Sequence, residues 1–179
     1  MRARCTVTGH DLQGRSRILS AGPIEGDESF VNVPGFSAAV FWKTGAEPQV
    51  GSVDIEPQAP LSSVLPGPGG TCAMVVTFPP ESDEQPSAAQ QQAAAEELQA
   101  RLPGLAELFE ADAPGFHRTD TIDYGVLLAG QLTLTVDEGE PAVLNPGDVV
   151  VQMGTRHAWR NTGYVPARMM FVMVHAKRV

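Results

Sequence analysis

Four histidines, His10, His117, His157 and His175, are the side chains best suited to move a proton or ligate a metal near neutral pH. His117 precedes Asp123 by six residues. If this stretch is extended, alternation puts His117, Thr119 and Asp123 on one side and Asp120 on the other. His157 lies in a turn-flanked segment, 152–161, that hairpin pairing could fold back over the first. His175 shares parity with Phe171 and Met173 and is expected to face inward. His10 falls in 9–14, an expected turn, and is assigned to solvent. Arg156 and Arg160 flank His157 and could grip a substrate carboxylate. Thr119, Trp159 and His175 are the remaining candidates for a pocket lining.

The elements that must position these groups are mainly strands. Residues 5–8 and 16–20 read as a hairpin, and 36–42 as a strand. Residues 45–70 are rich in Gly, Pro and Ser and read as loop. A stronger strand, 71–78, is stopped by Pro79-Pro80. Ser87 and Gln90 have capping-box spacing ahead of a helix over 88–102, which Pro103-Gly104 ends. A short turn follows with Leu105, Leu108 and Phe109. Beyond 116 the chain returns to strands: 124–128, 131–137, 142–144, 149–151 and 168–175. Leu132, Leu134 and Val136 share one face by strict alternation. The run 149–151 reads as a buried strand. Turn signals every 8–12 residues suggest a sandwich or barrel.

The spacing in the second half resembles the two motifs of the cupins. His117, Thr119, Asp123 and Gly130 fit the first, with Thr119 at the position of a second His and Asp123 at that of a Glu. Gly147, Gly154, His157 and Asn161 fit the second, with Gln152 at the proline position. Residues 131–146 have the length of the hairpin between the motifs. The stretch 117–126 is similar to one in small bacterial cupin-2 proteins. The likeness covers 116–176, whereas 1–80 is similar only in being strand-rich.

This resemblance implies an all-β, double-stranded β-helix (the cupin jelly-roll barrel) with a short helical insertion around 87–110. It implies a single domain over 1–179, divided into N-terminal strands and loops (1–80), the insertion (81–115) and the two-motif core (116–176). A homodimer is expected, as in cupin relatives. The insertion enters just before His117, which would put it at one end of the barrel as part of a lid.

By the same resemblance His117, Asp123 and His157 are the expected catalytic and metal-binding residues. Two imidazoles and a carboxylate suit Fe, Mn, Ni or Zn. The implied function is a small-molecule enzyme with its site inside the barrel. Its substrate would be a small oxygenated organic molecule such as a keto acid, phenol or polyketide fragment. With a divalent metal the chemistry would be of dioxygenase, lyase, decarboxylase or isomerase type. Without one, the same residues would serve acid–base dehydration or cyclisation. A third alternative is a ligand-binding cupin with no catalysis.

Composition narrows the partners. A net charge of −9 over 179 residues repels nucleic-acid phosphates and anionic membranes. No apolar run approaches the ~20 residues that span a bilayer. No secretory signal follows Met1, so a cytoplasmic setting is expected. Two cysteines, Cys5 and Cys72, suit free thiols better than a disulfide framework. The 18 glycines and 15 prolines favour short strands and turns over a helical bundle.

Overall fold

The computed structural model describes residues 2–51, 54–55, 62–82 and 85–179. Part of the expected 45–70 loop lies outside the described residues. The strands are β1 (Arg4–His10), β2 (Ser16–Pro23), β3 (Ser37–Thr44), β4 (Thr71–Phe78), β5 (Thr121–Ala129), β6 (Leu132–Val136), β7 (Ala142–Leu144), β8 (Val149–Gln152), β9 (His157–Arg160) and β10 (Ala167–His175). A helix, α1 (Ala88–Arg101), and a 3-10 turn over Ala106–Leu108 separate β4 from β5.

Two sheets form the body. One has the order β3-β4-β10-β5-β8 and the other β7-β6-β9. All their pairings are antiparallel. They close on each other through Leu127 and Met169 from the larger sheet and Leu132 and Leu144 from the smaller. The result is the double-stranded β-helix expected from the sequence, with α1 as the inserted helix. No helix among the described residues is long and apolar enough to cross a membrane.

Alternation decides what each face of the large sheet meets. Ala38, Cys72, Met74, Val76 and Met173 point inward and pack with Phe30, Val64 and Leu102. Ala39 and Val75 point outward and are covered by Ile24, Ala3 and Cys5, beside the β1–β2 hairpin. Gly125 on β5 is a close approach. A Cβ there would collide with the Met169 methyl and lie 3.3 Å from the Phe171 ring, so glycine leaves room for both side chains.

Helix α1 begins as its sequence dictates. The Ser87 backbone N–H donates to Gln90 Oε1 at 2.8 Å, and the Gln90 N–H to Ser87 Oγ at 3.3 Å. The helix is then tied to the barrel by its charged side chains. Glu97 accepts from the backbone N–H groups of Val31 (2.8 Å) and Asn32 (2.6 Å). Arg101 donates to Gly26 O at 2.6 Å and lies over the Phe30 ring.

Three expectations change. The 149–151 run is an outer strand, not a buried one. Val149 and Val151 are 68% and 53% exposed, because β8 is the last strand of its sheet and they take its outer face. Of the alternating residues in β6, Leu132 is buried, and burial falls away to an exposed Val136 as the strand leaves the barrel. His10 is the half-buried end of β1, and its Nδ1 has no hydrogen-bond partner among the described residues. Both cysteines are free, and burial pushes the Cys72 thiol up to about 11.

Candidate functional site

One cavity of about 800 Å³ lies between the sheets and α1. His117, Thr119, Asp123, His157 and Trp159 all line it, as the sequence parity anticipated. Asp120 points away and binds Arg178 instead. His175 is not in the lining. It pairs with Thr121 at the end of β10, beyond the level where Asp123 and Met173 close the floor, and its N–H donates to Gly70 O.

The two imidazoles are set side by side by the backbone. His117 and His157 form an isolated antiparallel bridge, each N–H donating to the other's carbonyl at 3.0 Å. Their ring centroids are 4.4 Å apart. Each ring is oriented through Nδ1, which donates to Gly115 O (3.2 Å) in His117 and to Thr155 O (2.9 Å) in His157. A neutral imidazole that donates from Nδ1 keeps a lone pair on Nε2, which can accept a hydrogen bond or a proton. Phe109 packs 4.5 Å from the His117 centroid, and Trp159 packs 5.9 Å from that of His157.

Asp123 faces them from the other sheet. It is 93% buried on β5, with an exposure of 7%, and its Oδ1 has no hydrogen-bond partner among the described residues. On the same stretch the Thr119 and Thr121 hydroxyls lie 2.6 Å apart.

Burial governs protonation here. It raises Asp123 from 3.8 to about 6, against the pull of the Thr121 hydroxyl. Burial lowers His117 to about 4, helped by the neighbouring His157, and also lowers His157. At neutral pH both rings are therefore neutral, and Asp123 is a stronger base than His117.

Much of the remaining lining is apolar: Phe36 just before β3, and Met74, Val76, Phe78, Phe171 and Met173 from the large sheet, with Glu81, Glu110, Arg160 and Asn161 also lining it. Gln91, Ala94, Ala95, Leu98 and Leu102 recur at helical spacing and form the roof. Sequence reasoning placed the helix near one end of the barrel but named none of these residues. Their spacing on 91–102 was the available signal.

The charged groups near the mouth are paired. Arg156 makes a bidentate contact with Glu110 (2.8 and 2.6 Å) and a third bond to Asp137 (2.7 Å). It holds the Glu110 carboxyl below its usual range and is not in the lining. Arg160 bonds Glu81 at 2.6 Å. Neither arginine is set to grip a substrate carboxylate. Asn161 is a turn anchor, taking the Gly163 N–H and donating to Phe78 O and Val165 O.

The two histidines are oriented as metal ligands are, each Nδ1 held by a carbonyl. The full donor set fits a metal less well. Among the described residues, no three His, Cys, Asp or Glu side chains are grouped so as to hold an ion. The carboxylate stands on the opposite sheet and is one methylene shorter than the Glu of the family motif.

Residues 108–173 match the family model described as Cupin_2, a cupin domain. The chain is similar to the phomopsin biosynthesis cluster protein C′ of Diaporthe leptostromiformis, with 46% identity over 44% of each chain. It is also similar to the cupin-domain-containing oxidoreductase fogC of Aspergillus ruber, with 27% identity over 97% of this chain and 72% of that one. The match to the phomopsin protein spans less than half of that relative's length. Among solved structures, an RmlC-like cupin family protein from Methanocaldococcus jannaschii is 13% identical, with a TM-score of 0.38 over 59% of this chain and 70% of that one. Residues 108–173 thus carry the match to a cupin domain, within the double-stranded β-helix described above.

Proposed function

We propose that this protein is a small-molecule enzyme that transfers protons within its barrel on an uncharged, oxygenated substrate with a largely apolar body. The observation that carries this reading is the shared cavity: two neutral imidazoles on one wall, and a buried carboxyl with an unpartnered oxygen on the other.

Each group has a task set by its proton affinity. Asp123, poised at about 6, takes a proton from a carbon next to a carbonyl. His117, held near 4, is too weak a base for that step. Its Nε2 and that of His157 accept hydrogen bonds from substrate hydroxyls and so orient the carbon toward Asp123. Asp123 then returns the proton to the far end of a conjugated dienolate, which moves the double bond and gives isomerisation, or to a hydroxyl on the next carbon, which leaves as water and gives dehydration. The paired arginines and the apolar walls argue against a carboxylate substrate.

Deuterium uptake from D₂O tests this. The probe is para-hydroxybenzylacetone, an uncharged hydroxyaryl ketone, followed by proton NMR. Chelator-treated protein should speed exchange next to the carbonyl, and Asp123→Asn should abolish the effect. Exchange no faster than in buffer, or unchanged in the variant, overturns the reading.

The second reading is a metal-dependent oxidoreductase. It is supported by the orientation of the two imidazoles and by the name of the Aspergillus ruber relative. Elemental analysis of protein purified without chelator separates the two. One equivalent of Fe, Mn, Ni or Zn, lost in His157→Ala, would favour the second.

A further inference from the structure

The 119–121 and 153–155 segments carry the two halves of the site and cross beneath it. A Cβ on Gly154 would lie 2.9 Å from Thr119 O, so the backbones are nearly in contact, and Gly154 has a φ of 61° that favours glycine. Thr119 lines the cavity, and Thr155 supplies the carbonyl that fixes the His157 ring. From inside, Gln152 reaches the Thr155 carbonyl (3.3 Å) and its hydroxyl.

From outside, one side chain spans the crossing. Arg178 donates from Nη2 to Thr119 O (2.9 Å), from Nη1 to Gly154 O (3.2 Å) and from Nε to Asp120 Oδ1 (2.8 Å). The Ala176 N–H, donating to Asp120 O at 3.0 Å, aligns the approach. A guanidinium presents its donors in a rigid fork, so it can hold two carbonyls at a fixed separation. A lysine ammonium in the same place would have no such fork.

We infer that Arg178 is a positioning residue, which holds from outside the barrel the two backbone segments that present Thr119 and His157 to the cavity. This rests on the proposed reading of the site. It acts on His157 through Gly154 and Thr155. Its hydrogen bonds among the described residues go to Thr119, Asp120 and Gly154, and not to Gly115, whose carbonyl orients His117. The two rings should therefore respond differently when Arg178 is removed.

Nitrogen-15 NMR of the full chain at neutral pH reads this directly and does not depend on activity. In the unaltered protein both rings should be Nδ1–H tautomers. In Arg178→Ala, roughly a tenth or more of the His157 rings should shift to the Nε2–H tautomer, while His117 is unchanged. Arg178→Lys, the milder change, should give a smaller shift of the same kind. Lys177→Ala should give none. If His157 keeps its tautomer in both Arg178 variants, the inference is overturned. It is equally overturned if both rings change together or if Lys177→Ala has the same effect. Because ring tautomers are the readout, failure here is distinct from failure of the deuterium-exchange test.

Discussion

The floor and the roof of the cavity come from different parts of the chain and obey different rules. The floor is polar and made after residue 115: His117, Thr119, Asp123 and His157, each held by hydrogen bonds or buried in a strand. The roof is mostly apolar and made before residue 112, by Ala94, Ala95 and Leu98 of α1 beside Gln91, and by Leu102 just past its end, with Leu105 and Phe109 behind them. The cupin domain thus supplies the reactive groups, while α1, which lies outside its matched residues, sets the shape and polarity that a ligand meets. The lesson is that chemistry and selectivity can be altered separately.

Breaking the floor should have the largest effect. His157→Ala leaves the roof intact and should slow deuterium exchange into the probe by about a hundredfold or more. Binding of the probe, measured by calorimetry, should weaken far less. Equal losses in both would erase the distinction between floor and roof.

The pH dependence of stability sharpens the comparison within the floor. Asp123 holds its proton to about 6 when folded and to 3.8 when unfolded. The folded state therefore binds more protons across that window, and this contribution falls as pH rises through it. His117 does the opposite. Its value drops from 6.5 to about 4, so its contribution grows with pH over the same range. His157, also lowered, acts in the same direction as His117. The carboxyl largely offsets His117, and His157 adds to the rise with pH. Asp123→Asn removes the opposing contribution and should steepen the rise of stability from acid to neutral pH by up to about 3 kcal/mol, at about 1.4 kcal/mol for each pH unit between 3.8 and about 6. Urea unfolding at several pH values measures it, and a slope equal to that of the unaltered chain would contradict the burial argument.

A charge in the roof is a smaller insult. Leu98→Asp should weaken binding of the probe by about tenfold, because a carboxylate must be desolvated beneath it. The neutral state of the two rings should not change. If the variant binds as well as the unaltered protein, α1 does not meet the ligand.

The smallest expected effect is Thr119→Val. It removes the hydroxyl that pairs with Thr121 and should cost about 1 kcal/mol in thermal or urea unfolding. Retained stability would mean that the pair contributes little.

Much of the floor was legible in the sequence because strand alternation is strict. Parity alone put His117, Thr119 and Asp123 on one side and Asp120 on the other. The capping box at Ser87 likewise located the start of α1. Local pattern could not say where the cavity stops along a strand, so His175 was counted in although it lies beyond the floor. Nor could it say which strand ends a sheet, and the 149–151 run is as apolar as a buried one. The roof residues look like ordinary helix formers. The partners of Arg156 and Arg178 are 19 to 59 residues away in sequence, a distance that no local rule spans. The single-domain, homodimer and cytoplasmic expectations remain readings of the sequence.

The most direct test is a titration of the nitrogen-15-labelled protein with para-hydroxybenzylacetone, following both imidazoles at once. The account predicts that the Nε2 signals of His117 and His157 move together with a single affinity, the one phenol proton exchanging between the two acceptors, and that the same ketone lacking its hydroxyl moves neither. Movement of only one ring, or an equal response to the ketone without a hydroxyl, would contradict it.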